Sequence, residues 1–142
     1  MLVLDTNVIS EMMKALPSPR VMEWWSQQQS VELFATTITV AEILYGIEIL
    51  PRGKRRDSLR TEAEIVFNQD LAGRILPFDE EAARVFPEVA GGRRALGRPI
   101  AELDAQIAAI ARSRNAALAT RNIADFEGCG VRLVNPWHIS EA

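Results

Sequence analysis

Short apolar segments alternate along this chain with longer segments of helical periodicity, and this alternation constrains the fold more than any other feature. Between the apolar segments lie one or two stretches in which apolar side chains recur every three or four residues, as on one face of a helix. The pattern predicts one α/β domain over residues 1–142 with a short, mostly parallel central sheet. The strand-forming runs are residues 2–4, 33–35, 75–77, 116–119 and 131–134.

The scarcity of histidine and cysteine narrows the possible chemistry. With one of each, His138 and Cys129, the chain cannot build a zinc site of four nitrogen or sulfur ligands. A single cysteine also excludes an internal disulfide and fits a reducing compartment. No apolar run is long enough to span a bilayer, and the N-terminus lacks the basic region and cleavage site of a signal peptide. We therefore expect a cytoplasmic protein, and if it is an enzyme we expect carboxylates to be the catalytic groups.

Basic residues are clustered locally, although the net charge of −3 gives no overall sign of a nucleic-acid-binding protein. One cluster follows Pro51 and another lies around Gly91 and Gly97. Such runs are most often solvated faces, but a phosphate-bearing substrate needs at least this much positive charge. The first cluster supplies the candidate substrate-binding residues Arg52, Lys54, Arg55 and Arg56.

The first predicted strand runs directly into Asp5-Thr6-Asn7. A carboxylate at the end of a buried strand is held rigidly at the sheet edge where α/β folds bind ligands, which suits a metal ligand. The same segment suits a helix N-cap, because Asp, Thr and Asn are good capping residues. Taken alone, this segment leaves both interpretations open.

Two more acidic residues lie at the start of apolar helices. Thr39 and Glu42 have the spacing of a capping box, in which Glu42 would reach back to the backbone N–H of Thr39. Glu42 is also surrounded by apolar residues, where a carboxylate needs a cation or a hydrogen-bond network. Asp104 heads an apolar stripe that includes Ile107 and Ala108, and an aspartate on a buried helix face is rare without a partner.

The fourth candidate segment follows the strand at 116–119 and offers a hydroxyl, an amide and a carboxylate in Thr120, Asn122 and Asp125. A capped turn would use the same residues. In a parallel sheet the strand C-termini and the following helix N-termini share one edge, so all four segments can meet there. Clustered carboxylates need a compensating charge, and oxygen ligands without His or Cys select a hard cation such as Mg²⁺ or Mn²⁺.

Taken in order, these segments resemble the PIN-domain family, and specifically the VapC/FitB-type toxins of type II toxin–antitoxin pairs. The resemblance covers nearly the whole chain. It implies a three-layer α/β/α fold and a Mg²⁺- or Mn²⁺-dependent ribonuclease. The motifs that carry it are Leu2-Val3-Leu4-Asp5-Thr6-Asn7, Thr37-x-Thr39-x-x-Glu42-Ile43-x-x-Gly46, Asp104-x-x-Ile107-Ala108-Ala109, Ala119-Thr120-Arg121-Asn122-x-x-Asp125-Phe126 and Val134-Asn135-Pro136-Trp137.

By this resemblance, Asp5, Glu42 and Asp104 hold one or two metal ions that activate a water for in-line attack on an RNA phosphodiester. Many relatives carry an acid where this chain has Asn122, so a second ion would be held more weakly or by Asp125, which we include among the catalytic acids. The side chains that would support these acids are Thr6, Asn7, Thr120 and Asn122.

The resemblance also implies partners, namely an RNA substrate, a cognate antitoxin and a second copy of the chain in a homodimer, with a larger assembly when the antitoxin is bound. Two alternatives remain open at the level of sequence. Asn122 is compatible with a PIN fold that binds RNA or protein without catalysis. A phosphatase with Asp5 as nucleophile would need a second acid two residues later, and that position is Asn7.

Overall fold

A parallel sheet of five strands runs through the middle of the protein in this computed structural model, which describes residues 1–138. Every neighbouring pair of strands is parallel, in the order β3-β2-β1-β4-β5. The predicted α/β domain with a parallel sheet is therefore confirmed. The strands are β1 (Leu2–Leu4), β2 (Leu33–Thr36), β3 (Ile75–Leu76), β4 (Ala117–Ala119) and β5 (Leu133–Val134).

Seven α-helices flank the sheet within residues 1–138, and none of them is long and apolar enough to cross a membrane. A 3-10 turn (Ser30–Glu32) precedes β2, and a π-helical turn (Val66–Asp70) follows α4. The helices are α1 (Thr6–Met12), α2 (Pro19–Ser26), α3 (Thr37–Glu48), α4 (Lys54–Ile65), α5 (Glu80–Ala95), α6 (Glu102–Ser113) and α7 (Ile123–Phe126).

Side chains alternate across the sheet and divide the core into two halves. Val3 and Leu118 pack into the cluster formed with α5 and α6. Leu4 and Ala119, one residue later in their strands, pack into the cluster formed with α1 to α4. Successive strand residues point to opposite faces, so a strand covered by helices on both sides must be apolar throughout, as β1 and β4 are. This is the three-layer arrangement that the resemblance predicts.

Four of the seven helices described within residues 1–138, namely α1, α2, α3 and α5, begin after a residue whose side chain caps the first turn. The side chains of Ser18 and Asp79 accept the backbone N–H groups of Val21 and Ala82 respectively. Each satisfies a donor that the first turn of the helix leaves without an internal partner. The predicted cap at Asp79 is confirmed.

One predicted helix end is wrong. The sequence pattern predicts that the helix after Asp79 stops at Gly91-Gly92, but α5 continues to Ala95 and the chain turns at Gly97, where φ is +71°. A glycine inside a helix costs only about 1 kcal/mol relative to alanine, which packing can offset. Here the continued helix brings the buried Arg93 side chain against α7.

Candidate active site at the carboxyl edge of the sheet

Three of the predicted acids line one cavity of about 450 Å³ at the carboxyl edge of the sheet. Asp5 directly follows β1, Glu42 lies in the second turn of α3, and Asp104 lies in the first turn of α6. Because β1 is the central strand, Asp5 is the most enclosed of the three and is only 4% exposed. The convergence expected from a parallel sheet is thus present for these side chains.

Asp5 is held by hydrogen bonds to both carboxylate oxygens. Its Oδ1 accepts the backbone N–H of Thr6 at 2.8 Å, which caps α1. Its Oδ2 accepts the Thr120 hydroxyl at 2.8 Å and the Asn7 side-chain amide at 3.2 Å. Burial raises the pKa of Asp5, the negative charge of Glu42 adds to the shift, and these hydrogen bonds oppose it. Asp5 therefore caps α1 and also lines the cavity with a carboxyl group whose ionisation is disfavoured by burial.

Glu42 is bound by a hydroxyl from α1. Thr6 Oγ1 donates to Glu42 Oε1 at 2.9 Å and lies 2.9 Å from the hydroxyl of Thr39. The capping box considered from the sequence is not formed, because α3 begins earlier than that motif requires. Thr36 is the N-cap, and its hydroxyl accepts the backbone N–H of Thr39 at 3.1 Å. Glu42 is thereby left to face the cavity.

The pKa of Asp104 is raised by burial and by the neighbouring acids. Burial raises the pKa of Asp104 to about 6, and the charges of Asp5, Asp125 and Glu42 add to the shift. Its neighbours along the helical stripe, Ile107 among them, are fully buried, as the sequence pattern predicts. A carboxylate that resists ionisation beside other carboxylates indicates a site that favours a bound cation.

The segment after β4 supports the site through the hydroxyl of Thr120 and the backbone N–H of Arg121. The Thr120 hydroxyl, besides binding Asp5, accepts the backbone N–H of Asn122 at 3.0 Å. The segment therefore forms a turn, but the turn is closed by Thr120 and not by a side-chain cap from Asn122. The backbone N–H of Arg121 donates to Asn7 Oδ1 at 3.3 Å. Asn122 lines the cavity, whereas Thr120 is buried behind Asp5.

Asp125, the fourth predicted acid, is not among the residues that line the cavity. It is exposed on α7 and does not line the cavity, although its charge contributes to the raised pKa of Asp104. Its position is set by Arg93, whose Nη1 donates to the carbonyl oxygens of Asp125 and Glu127 at 2.8 Å each. A catalytic role for Asp125 stays a prediction.

The four basic residues predicted to bind substrate differ in their contacts and in their exposure to solvent. Arg56 pairs with Glu48 at 2.9 Å, while Arg52 and Lys54 are exposed. Arg55 lines a second cavity, of about 300 Å³, which shares Thr6 and Glu42 with the first. Substrate binding by these four residues stays a prediction.

Sequence reasoning missed several residues that line the carboxylate cavity. Two signals could have found most of them. Ser10 and Glu11 lie three and four positions after Asn7, on the same face of α1. Arg121 and Trp137 follow β4 and β5 at the edge already expected to form the site. The five missed residues are Ser10, Glu11, Lys14, Arg121 and Trp137.

The donor chemistry of the cavity fits a hard divalent cation. The acids supply only oxygen ligands, and two of them have pKa values raised by burial and by neighbouring negative charge. Within residues 1–138, however, no three acidic, histidine or cysteine side chains are already close enough together to hold an ion.

Thiol chemistry does not compete with this interpretation. Cys129 is 1% exposed and packs in the core formed with α5 and α6. Burial raises the pKa of its thiol, so the reactive thiolate is disfavoured.

Comparison with known proteins identifies the family of the chain. The family described as PIN domain matches residues 2–127. The chain is 40% identical to VapC ribonuclease Y4jK of Sinorhizobium fredii, over 96% of this chain and 98% of that protein. It is 37% identical to Toxin FitB of Neisseria gonorrhoeae, over 97% and 99% respectively.

Comparison with solved structures indicates the same family. The structure of FitAB bound to an IR36 DNA fragment superimposes with a TM-score of 0.92 and 36% identity, covering 99% of each chain. PIN domains are metal-dependent nucleases, and a carboxylate cavity at this sheet edge is compatible with that chemistry. The chain therefore belongs to the PIN-domain family, among the relatives of the VapC and FitB toxins.

Proposed function

We propose that this protein is a divalent-metal-dependent ribonuclease and acts as the toxin of a toxin–antitoxin pair. The observation that carries the proposal is the meeting of Asp5, Glu42 and Asp104, which are far apart in sequence, around one cavity. Family membership supports the reaction class, since relatives at 37–40% identity are named ribonuclease or toxin.

Asp5, Glu42 and Asp104 are the residues that would hold Mg²⁺ or Mn²⁺. When bound there, the ion supplies a water of lowered pKa and stabilises negative charge on the phosphodiester. Asn122 offers only a neutral carbonyl oxygen, so we propose that a first ion is held by the three acids and that any second ion is bound more weakly.

The remaining polar residues orient these acids. Thr120 and Asn7 fix Oδ2 of Asp5, and Thr6 fixes Oε1 of Glu42. Hydrogen bonds of this kind hold a ligand in one rotamer and typically change metal affinity or activity by roughly 10- to 100-fold when removed. Thr6, Asn7 and Thr120 are therefore supporting residues.

A protein partner follows from the solved relatives. The FitAB structure and those described as VapBC are complexes in which a toxin of this fold is assembled with a second protein. We propose that this chain likewise binds a cognate antitoxin, and that two copies of the chain form a homodimer in the complex.

Expression of the protein in bacterial cells tests the proposed function. We expect arrested growth and loss of RNA integrity on induction, relief by co-expression of a cognate antitoxin, and no effect from the Asp5→Asn and Asp104→Asn variants.

The second candidate, a PIN fold that binds RNA or protein without catalysis, is favoured by Asn122, a neutral residue where many relatives carry an acid. Growth arrest without loss of RNA integrity, the same in wild type and in both variants, would contradict the ribonuclease and leave this second candidate.

A further inference from the structure

Two side chains that the proposed metal chemistry does not use, Arg121 and Trp137, lie together beside the acids. Both line the carboxylate cavity. The guanidinium carbon of Arg121 lies over the indole ring of Trp137, 5.1 Å from the ring centroid. This cation–π contact restrains a long side chain that would otherwise sample many rotamers.

Both residues are also fixed through their backbones. The N–H of Arg121 donates to Asn7 Oδ1 at 3.3 Å, which joins it to the same residue that supports Asp5. The N–H of Trp137 donates to Asn135 Oδ1 at 2.9 Å, and its carbonyl accepts from Arg20 Nη1 at 3.3 Å. The pair therefore has a defined position relative to the carboxylates.

The charges around the cavity distinguish Arg121 from the other cation there. Among the residues that line it, Lys14 and Arg121 are the two cations. Lys14 is neutralised by the buried Glu11, at 2.7 Å. Within residues 1–138, Arg121 forms no ion pair with a carboxylate. A polyanion that approaches a cavity lined by acids needs a cation at its entrance, and Arg121 is available to provide it.

We propose that Arg121, held in place by Trp137, binds an RNA phosphate adjacent to the one that is cleaved and so orients the strand across the acids. The proposal rests on the ribonuclease function proposed above. A guanidinium presents N–H donors in a planar fork that matches phosphate oxygens, which suits this contact better than a lysine does. Trp137 acts through Arg121 and is a positioning residue.

The test is RNA binding measured separately from cleavage. A fluorescein-labelled single-stranded RNA of mixed sequence is titrated with Asp104→Asn protein in Mg²⁺, and anisotropy is followed at several salt concentrations. Adding Arg121→Gln should lower RNA affinity about tenfold, as expected for one charge-assisted contact. It should also reduce the slope of log affinity against log salt by about 0.7, the value for one phosphate contact to a single strand.

Three further variants separate charge from structure. Arg121→Lys should keep the salt slope while losing part of the affinity, because the charge remains and the fork does not. Trp137→Leu should weaken binding with the slope unchanged, because it removes the restraint and leaves the cation. Arg84→Gln, an exposed arginine of α5 paired with Glu80, is the matched control and should bind RNA as the parent protein does.

The outcomes separate this proposal from the function on which it rests. Cleavage by the wild type, together with RNA affinity and a salt slope that do not change in Arg121→Gln, overturns the phosphate contact alone. RNA binding that depends on Arg121 in a wild type that cleaves no RNA overturns the nuclease and keeps the contact.

Discussion

Asp5 shows how one residue can serve the fold and the proposed site together. Its Oδ1 caps α1, and its Oδ2 accepts hydrogen bonds from the Thr120 hydroxyl and the Asn7 amide. The sequence leaves the choice between cap and ligand open. The structure confirms the cap, and a role as metal ligand stays a prediction. The burial that makes Asp5 costly to ionise also makes its supporting hydrogen bonds effective, since they act in a region of low dielectric.

Thr120→Val tests this support. The variant keeps the shape of the side chain and removes the donor to Asp5, whose pKa should rise further because that hydrogen bond lowers it. We expect Mn²⁺ affinity, measured by titration calorimetry, to fall about tenfold. Thr120→Ser should retain wild-type affinity, and Thr61→Val, at an exposed hydroxyl of α4, is the control. Equal Mn²⁺ affinity for Thr120→Val and wild type would show that Thr120 does not support a metal ligand.

The raised pKa of Asp104 predicts the direction in which the stability of the protein changes with pH. Its pKa is about 6 in the folded, metal-free protein and 3.8 in the reference state. Between these values the native state holds a proton that the unfolded chain has lost, so the free energy of unfolding falls as pH rises from 4 to 6. Allowing for solvent screening, we expect this contribution to be about 1–2 kcal/mol.

Denaturant unfolding of metal-free protein at pH 4, 5 and 6 measures this contribution against Asp104→Asn, which cannot titrate. The wild type should lose stability relative to the variant as pH rises. Mn²⁺ affinity of the wild type should instead fall below pH 6 by up to about tenfold per unit, because metal and proton compete for the carboxylate. Parallel stability curves for the two proteins would contradict the assignment.

At the scale of elements, α7 depends on a buried arginine from α5. Arg93 is 4% exposed and donates to carbonyl oxygens of Ala124, Asp125 and Glu127. This contact explains why Gly91-Gly92 does not end α5, a feature that local sequence signals could not reveal because the partner is about thirty residues away. Arg93 thereby fixes the segment that carries Asp125.

Arg93→Met should therefore destabilise the protein well beyond the effect of an ordinary surface arginine. The change removes the donor to the partly buried carbonyl oxygens of Asp125 and Glu127, and we expect a loss of about 3 kcal/mol in urea unfolding. Arg84→Met, on the same helix but exposed in an i,i+4 pair, should cost at most about 0.5 kcal/mol. Similar losses for the two variants would show that the hydrogen bonds of Arg93 contribute little.

At the scale of the whole molecule, the strand order determines which acid is most enclosed. β1 lies between β2 and β4, so on one side the backbone N–H of Asp5 donates to the carbonyl oxygen of Ala119 at 2.9 Å and its Oδ2 accepts the hydroxyl of Thr120. On the other side, α3 follows β2 and brings Glu42 within reach of Thr6. A carboxylate after an edge strand would have fewer such neighbours.

The sequence predicts the layers and the meeting of the acids because both follow from local patterns. Apolar runs such as residues 2–4 indicate buried parallel strands, and parallel strands place their following residues at one edge. The strand order could not be predicted, since it depends on contacts between distant segments. For the same reason, the contact between Arg121 and Trp137 and the hydroxyl bridge from Thr6 to Glu42 became evident only in the structure.

The central claim is that Asp5, Glu42 and Asp104 form one metal site that supports RNA hydrolysis. It is tested most directly by cleavage of a labelled single-stranded RNA by the purified protein in Mg²⁺ or Mn²⁺, in EDTA, and after the metal is restored. We predict cleavage that EDTA abolishes and metal restores, and a cleavage rate that is at least about a hundredfold lower in Asp104→Asn. Cleavage that persists in EDTA, or that Asp104→Asn retains in full, would contradict it.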